Sequence, residues 1–359
     1  MKIGITYWWC LFIVFFFHIH QLEFGTTVLV LAKDVTLVPP LKAATSTSIY
    51  SKRRAAVSKF IPPPPEAYLS TTYYLNSCPN LEGIIQQKVN AWVQRDYTLA
   101  ASIIRLHFHD CAVRGCDASI LLNHAGSERR ADASKTLRGF DVIDEIKAEV
   151  EKRCPKTVSC ADILTAAARD ATVVAGGPFW EVPFGRKDGR VSLGREAEGV
   201  PQGRENVTAL IDFFQARGLN TLDLVVLSGS HTIGRSTCYS IRQRLSNNSF
   251  NDPSIDIKYL NYLKKQCRWD TNYVNLDATT PRTFDAIYYT NLEKKMGLLL
   301  TDQLLYSDGR SAPLVSALAS QPSLFTNQFA VSMVKLGNVQ LLTGRNQGEI
   351  RLNCSCVNP

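Results

Sequence analysis

The chain has no C-x-x-C pair, no internal repeat of fixed period and few runs that alternate apolar with polar residues. It also lacks a basic stripe. Dispersed cysteines without C-x-x-C spacing are unlike a zinc ribbon. Scarce alternation argues against a sandwich or barrel and points to an all-α fold with at most a minor β-hairpin. Forty Lys+Arg against thirty-two Asp+Glu give a formal charge of +8, but cationic runs are short and scattered, such as Lys52-Arg53-Arg54, Arg129-Arg130 and Lys264-Lys265. A nucleic-acid binder gathers its cations along one face, so no nucleic-acid partner is expected. The excess reads as a solvated surface, with weak attraction to acidic polysaccharide open through net charge.

The N-terminus carries an apolar run. Lys2 precedes Tyr7 to Phe17, the shape of a secretory signal and shorter than the roughly 20 residues of a membrane-spanning helix. Residues 1–25 are therefore expected to be a signal peptide. Residues 26–67 read as a proline-bearing extension, with Pro39-Pro40 and Pro62-Pro63-Pro64-Pro65 favouring polyproline II. The folded domain is expected over 68–359, enough chain for two lobes around a shared site. Cys10 falls in the leader, leaving nine cysteines, which in an exported chain imply disulfides and one thiol left over. Sequons begin at Asn206, Asn247 and Asn353.

Apolar residues at spacings of three and four predict helices over 82–95, 98–109, 138–153, 160–174, 206–217, 284–294 and 325–336. Asn80, Ser159 and Thr283 are the predicted caps.

The segment Arg105-Leu106-His107-Phe108-His109-Asp110-Cys111 is the most informative. On a helix, Arg105 and His109 share a face while His107 points elsewhere. An imidazole can move a proton, and a guanidinium holds a permanent cation with several donors. The pair suits peroxide: His109 takes the proton of one oxygen and returns it to the other, and Arg105 stabilises the charge that builds between them. Phe108 would wall the cavity. A zinc or non-haem iron site on His107, His109 and Asp110 is the competing reading, weakened because residues two apart on a helix diverge. Downstream, Asp110, Val113, Gly115, Asp117 and Ser119 place oxygens at short intervals along a loop, with Glu128 able to join through a water, a donor set that suits calcium. A plain polar turn is the alternative.

A second segment, Leu227-Ser228-Gly229-Ser230-His231-Thr232-Ile233-Gly234, sets a histidine among small residues that leave room for a planar macrocycle. Ligating histidines commonly donate their other N–H to a carboxylate, and Asp302 is the candidate partner. Thr232, Asp277, Thr280, Thr283 and Asp285 form another oxygen-rich set, a second calcium candidate beside His231. Without His231 it would read as a threonine-capped helix start.

With both segments in view, the chain resembles the secretory plant peroxidases, the class III haem peroxidases, from about Tyr74 to Asn358. Further matching stretches are Gly115-Cys116-Asp117-Ala118-Ser119, Leu137-Arg138-Gly139-Phe140, Val158-Ser159-Cys160-Ala161-Asp162-Ile163 and Arg351-Leu352-Asn353-Cys354. The resemblance implies a haem b between two helical lobes, with His231 as axial ligand and Arg105 and His109 catalytic. It further implies two calcium ions and the disulfides Cys78–Cys154, Cys111–Cys116, Cys160–Cys354 and Cys238–Cys267. Pro201 falls where the family lines its donor channel, and Asp162 and Arg186 match its buried salt bridge. The implied substrates are hydrogen peroxide and small phenolic donors. The implied setting is extracellular, in wall or vacuole, with roles in wall phenolic and lignin metabolism and in oxidative stress, and the protein is expected to be a monomer.

Three departures stand out. The family's distal asparagine is absent from Glu128 to Ser134, leaving Asp132 or Ser134 as substitutes; Ala112 replaces a common phenylalanine; and the extension before Tyr68 is long. These keep open a wall-associated binding glycoprotein with little turnover.

Overall fold

In the computed structural model the described residues are 68–246 and 254–359. The signal peptide, the extension, Cys10 and the sequon at Asn247 lie outside them. The described helices are α1 (Leu81–Arg95), α2 (Leu99–Val113), α3 (Phe140–Arg153), α4 (Cys160–Val174), α5 (Gly194–Ala197), α6 (Val207–Gln215) and α7 (Thr221–Ser228). They continue with α8 (Arg242–Leu245), α9 (Ile257–Gln266), α10 (Ile287–Glu293), α11 (Leu300–Ser307), α12 (Ala312–Ser320) and α13 (Pro322–Leu336).

The core is organised around α4, which is buried from Cys160 to Thr172. Alanines at 161, 166, 167 and 168 let α1 and α2 pack closely against it. Its start is fixed twice. Ser159 Oγ accepts from the Asp162 amide at 3.1 Å, and the Asp188 carboxylate accepts from the Cys160 and Ala161 amides at 3.1 and 2.9 Å. Asp188 also accepts from the Arg351 amide, tying this helix to the C-terminal segment. The second lobe packs α10 on α12, α13 on α7 and α6 on α7.

Asp162 and Arg186 form a buried ion pair at 2.9 Å, and Tyr74 Oη donates to the same carboxylate. These extra bonds matter, because a buried pair is tolerated only when its remaining polar atoms are satisfied. Disulfides join Cys78 to Cys154, Cys111 to Cys116, Cys160 to Cys354 and Cys238 to Cys267. Cys356 is exposed and free.

Three local expectations need correction. The β structure is a two-stranded antiparallel ribbon, β1 (Arg235–Thr237) with β2 (Tyr273–Asn275), whose strands are separated by α8 and α9, so it is not a hairpin. Asn80 precedes α1 but makes no side-chain cap bond, since its backbone is not in the extended conformation of a cap. Thr283 caps nothing: the helix after it starts at Ile287, whose amide donates to Asp285 Oδ1.

Candidate active site

Arg105 and His109 sit one turn apart on α2. The guanidinium donates to Thr136 Oγ1 at 3.1 Å and to the Ala133 carbonyl at 3.5 Å. Burial lowers its pKa to about 10, which still leaves it charged at neutral pH. His109 is buried, and burial followed by the nearby Arg105 charge pushes its imidazole well below the usual range. It is therefore a neutral base. Its Nδ1 has no hydrogen-bond partner. Neither substitute for the missing asparagine reaches it. Asp132 is 77% exposed and paired with Lys135, while Ser134 is buried with its own hydroxyl unpartnered. Phe108 lies edge-on to His109 at 6.0 Å and stacks on Phe214 of α6 at 6.2 Å. His107 faces away, with its ring nitrogens 3.7 and 3.9 Å from Cys111 Sγ, and burial then Arg186 hold it near a pKa of about 3. His107 turns to Cys111 and Asp110 to the Ala118 and Ile120 amides, so His107, His109 and Asp110 do not form a metal-binding set.

His231 occupies the short 3-10 turn Gly229–Thr232 that follows α7 and rests against α2. Crowding fixes its neighbour: a Cβ on Gly229 would collide with Tyr289 Oη and Phe325. His231 Nδ1 is 2.7 Å from Asp302 Oδ1, which also accepts from Tyr288 Oη at 3.0 Å, while Oδ2 accepts from the Leu299 amide at 3.2 Å. Burial alone would lower the His231 pKa, but the charge and hydrogen bond of Asp302 outweigh it and raise it. The Nε2 atom has no protein partner among the described residues, and the side chain is 33% exposed. An imidazole made basic on one nitrogen and left open on the other fits an iron ligand. The Arg105 charge disfavours protonation of both His109 and His231.

The loop after α2 gathers carboxylates. Asp110 accepts from the Ala118 and Ile120 amides, and Asp117 Oδ1 accepts from the Ser119 amide. Ser119 Oγ and both Glu128 oxygens are buried without a partner. Burial raises all three acids, and their mutual repulsion adds to it for Asp110 and Glu128. Asp117 rises to about 6, Glu128 to about 8 and Asp110 well above its usual range. Buried, partnerless oxygens that repel one another fit a hard cation, with the Val113 and Gly115 backbone available to complete the shell.

On the other side, Thr232 Oγ1 approaches the Thr283 carbonyl at 3.4 Å and Asp285 Oδ1 at 3.3 Å, and Thr280 Oγ1 donates to the same carboxylate oxygen at 3.0 Å. Asp277 accepts through Oδ1 from the Thr279 and Thr280 amides and from Asn291 Nδ2, while its Oδ2 is buried and unpartnered. Pro201 is half-buried in a loop whose Gly203 carbonyl accepts from the Thr301 amide, next to Asp302. The structure adds Tyr288, which shares Asp302 with His231, and Ser192, whose Oγ holds the Glu128 amide at 2.9 Å. No local spacing marked either residue.

A helical fold holding a basic, carboxylate-backed imidazole and a neutral imidazole beside one guanidinium defines a haem peroxidase. The sequence pattern of the peroxidase family matches residues 85–321. Peroxidase 7 of Arabidopsis thaliana is 55% identical over 300 residues, covering 82% of this chain and 86% of that protein. Peroxidase 2 of Oryza sativa subsp. indica is 45% identical over 299 residues (81% and 93%), and Peroxidase 1 of Zea mays is 41% identical over 335 (89% and 91%). The chain belongs to the peroxidase family, in its secretory plant class, and is a haem-dependent oxidoreductase acting on hydrogen peroxide.

Proposed function

We propose that His109 and Arg105 cleave peroxide, that His231 holds the haem iron with Asp302 behind it, and that small phenols are the electron donors. The observation that carries this reading is a neutral His109 one helical turn from Arg105, together with a His231 whose Nδ1 lies 2.7 Å from Asp302 Oδ1. Bound haem supplies the iron that accepts peroxide and stores its oxidising equivalents. His109, kept neutral by burial and by Arg105, takes the proton from one peroxide oxygen and gives it to the other, which leaves as water. Arg105, held by Thr136 and Ala133, stabilises the negative charge on the departing oxygen. Asp302 accepts the Nδ1 proton of His231 and so keeps the ligand electron-rich. Phe108 walls the cavity, and the Pro201 loop borders the approach of donors.

Asp110, Val113, Gly115, Asp117, Ser119 and Glu128 hold one calcium ion, and Thr232, Asp277, Thr280, Thr283 and Asp285 a second. The unpartnered oxygens of Ser119, Glu128 and Asp277 support the two sites. The four disulfides suit an oxidising, extracellular compartment, which supports export by residues 1–25, a folded domain from 68 after the extension, and work on wall phenolics and in oxidative stress. The net positive charge supports weak adherence to acidic wall polysaccharide.

His109→Ala tests the assignment. The variant should keep its Soret band while peroxide cleavage, followed by stopped flow, slows on the order of 10²–10⁴-fold. A parent-like rate would refute the role of His109.

A further inference from the structure

A cleft that uses none of the residues assigned above lies where the ends of α1 and α4 meet the first turn of α2 and the start of β1. Its volume is about 80 Å³. The floor is apolar, formed by Val93, Ala101, Val174 and Ile233, and Gly234 closes it. Gly234 has φ 98°, and a Cβ there would press on Ala101 Cβ at 2.8 Å, so the floor depends on close backbone approach. The rim is cationic and aromatic. The Arg282 guanidinium lies 4.3 Å from the centroid of the Tyr97 ring, and Arg235 lies 5.0 Å from that of Tyr273.

Among the described residues neither guanidinium has an ion-pair or side-chain hydrogen-bond partner. Asp96, beside Tyr97 in sequence, is taken up by Arg138 and Thr98, and Asp285, three residues from Arg282, accepts from Thr232, Thr280 and the Ile287 amide. Two uncompensated cations above an apolar floor select for a particular chemistry. A neutral ring would leave the guanidiniums unneutralised, and an inorganic anion would leave the floor wet. A flat ring with one carboxylate satisfies both, because carboxylate oxygens match the N–H fork of arginine while the ring displaces water below. Size sets a further limit. At roughly 15 Å³ per water, the space is about five water sites, which suits one six-membered ring and not a fused pair.

We propose that this cleft binds a monocyclic aromatic carboxylate. It would contact the segment just after Thr232 and the loop carrying Thr280 and Thr283, because Ile233, Gly234, Pro281 and Arg282 all line the cleft.

Benzoate is the probe, titrated by calorimetry into the haem- and calcium-loaded protein at low ionic strength, where charge interactions are least screened. Binding on the order of 1 mM is expected, with no change in the Soret band. Arg282→Gln and Arg235→Gln should each weaken it roughly tenfold, and benzamide, which keeps the shape without the charge, should bind roughly tenfold more weakly. Ala101→Leu, which fills the floor and keeps both arginines, should abolish it, with the Soret band and Tm confirming a folded holoprotein. Unchanged affinity in the arginine double variant would overturn the proposal. So would benzoate binding that shifts the Soret band, which would place it beside the haem, or sulfate binding as tightly as benzoate. Absence of any heat at about 20 mM benzoate would do the same.

Discussion

His231 and His109 are both interior imidazoles on a histidine-poor chain, yet one is gripped and the other left loose. His231 is backed by a carboxylate that takes three donors, from His231, Tyr288 and the Leu299 amide, so ring orientation and tautomer are fixed together. His109 Nδ1 touches no hydrogen-bond partner, and the protein controls this ring only by burial, by the edge of Phe108 and by the charge of Arg105. The contrast suits the two tasks proposed for them. A metal ligand must be electron-rich and immobile, whereas a proton shuttle must be neutral and able to let its proton go. The same contrast recurs in how each side is braced. The loop beyond α2 concentrates three buried carboxylates whose repulsion a cation would relieve, while the set near His231 satisfies most of its oxygens with threonine hydroxyls and backbone amides.

The largest way to break this asymmetry is Asp302→Asn. It keeps the shape but removes the charge that outweighs burial at His231, so turnover should fall on the order of 10–100-fold and the haem reduction potential should rise. A potential equal to the parent's would show that Asp302 does not tune the ligand.

Glu128→Gln probes the other side, and its sign should invert with calcium. In chelated protein, burial followed by Asp117 raises Glu128 to about 8. The folded state then binds more protons than the unfolded one between the ordinary carboxyl range and pH 8, and stability falls as pH rises through that window. At pH 9 without calcium the glutamine variant should therefore be more stable than the parent, by roughly 1–3 kcal/mol. With calcium it should be less stable, because a ligand has been lost. Thermal melts in chelator and in calcium read both signs, and a loss under both conditions would argue against a cation at Glu128.

The smallest effect separates His107 from His109 on the same helix. His107 is held neutral to about pH 3 by burial and then Arg186, while in the unfolded chain it protonates near 6.5. A depressed histidine pKa gives stability that is complete above 6.5 and is lost as pH falls. Its share of the slope should be roughly 1.4 kcal/mol per pH unit between 6 and 4. His107→Leu should flatten the curve of stability against pH there by about that amount and leave peroxide cleavage intact. An unchanged slope would mean that His107 is protonated in the folded protein.

Much of the site is legible because it is local. Arg105 and His109 four apart on a helix must share a face, and the oxygen donors from Asp110 to Ser119 follow within one loop. What spacing could not show are the joins made across the chain. Asp302 is 71 residues from His231, and ligand chemistry named it as a candidate where no spacing could. Tyr288, Ser192 and the Thr136–Ala133 cradle of Arg105 went unread because a tyrosine, a serine or a carbonyl carries no signature of its own. Asp132 looked a fair substitute for the missing asparagine, but its side chain turns to solvent and pairs with Lys135. Among the helices, the long amphipathic ones were clear, whereas α5, α8, α9, α11 and α12 are ten residues or fewer and owe their form to packing. Thr283 failed as a cap because Asp285, two residues on, takes the amide of Ile287.

By itself the sequence determined the helical class, the face that joins Arg105 to His109, and the small-residue setting of His231, since helical geometry turns spacing into direction. Tertiary structure alone decided that Thr136 and the Ala133 carbonyl hold the Arg105 guanidinium, that Asp302 is shared with Tyr288, and that His109 Nδ1 meets no partner. Those facts depend on which distant segments close upon one another, and short-range periodicity carries no record of that closure.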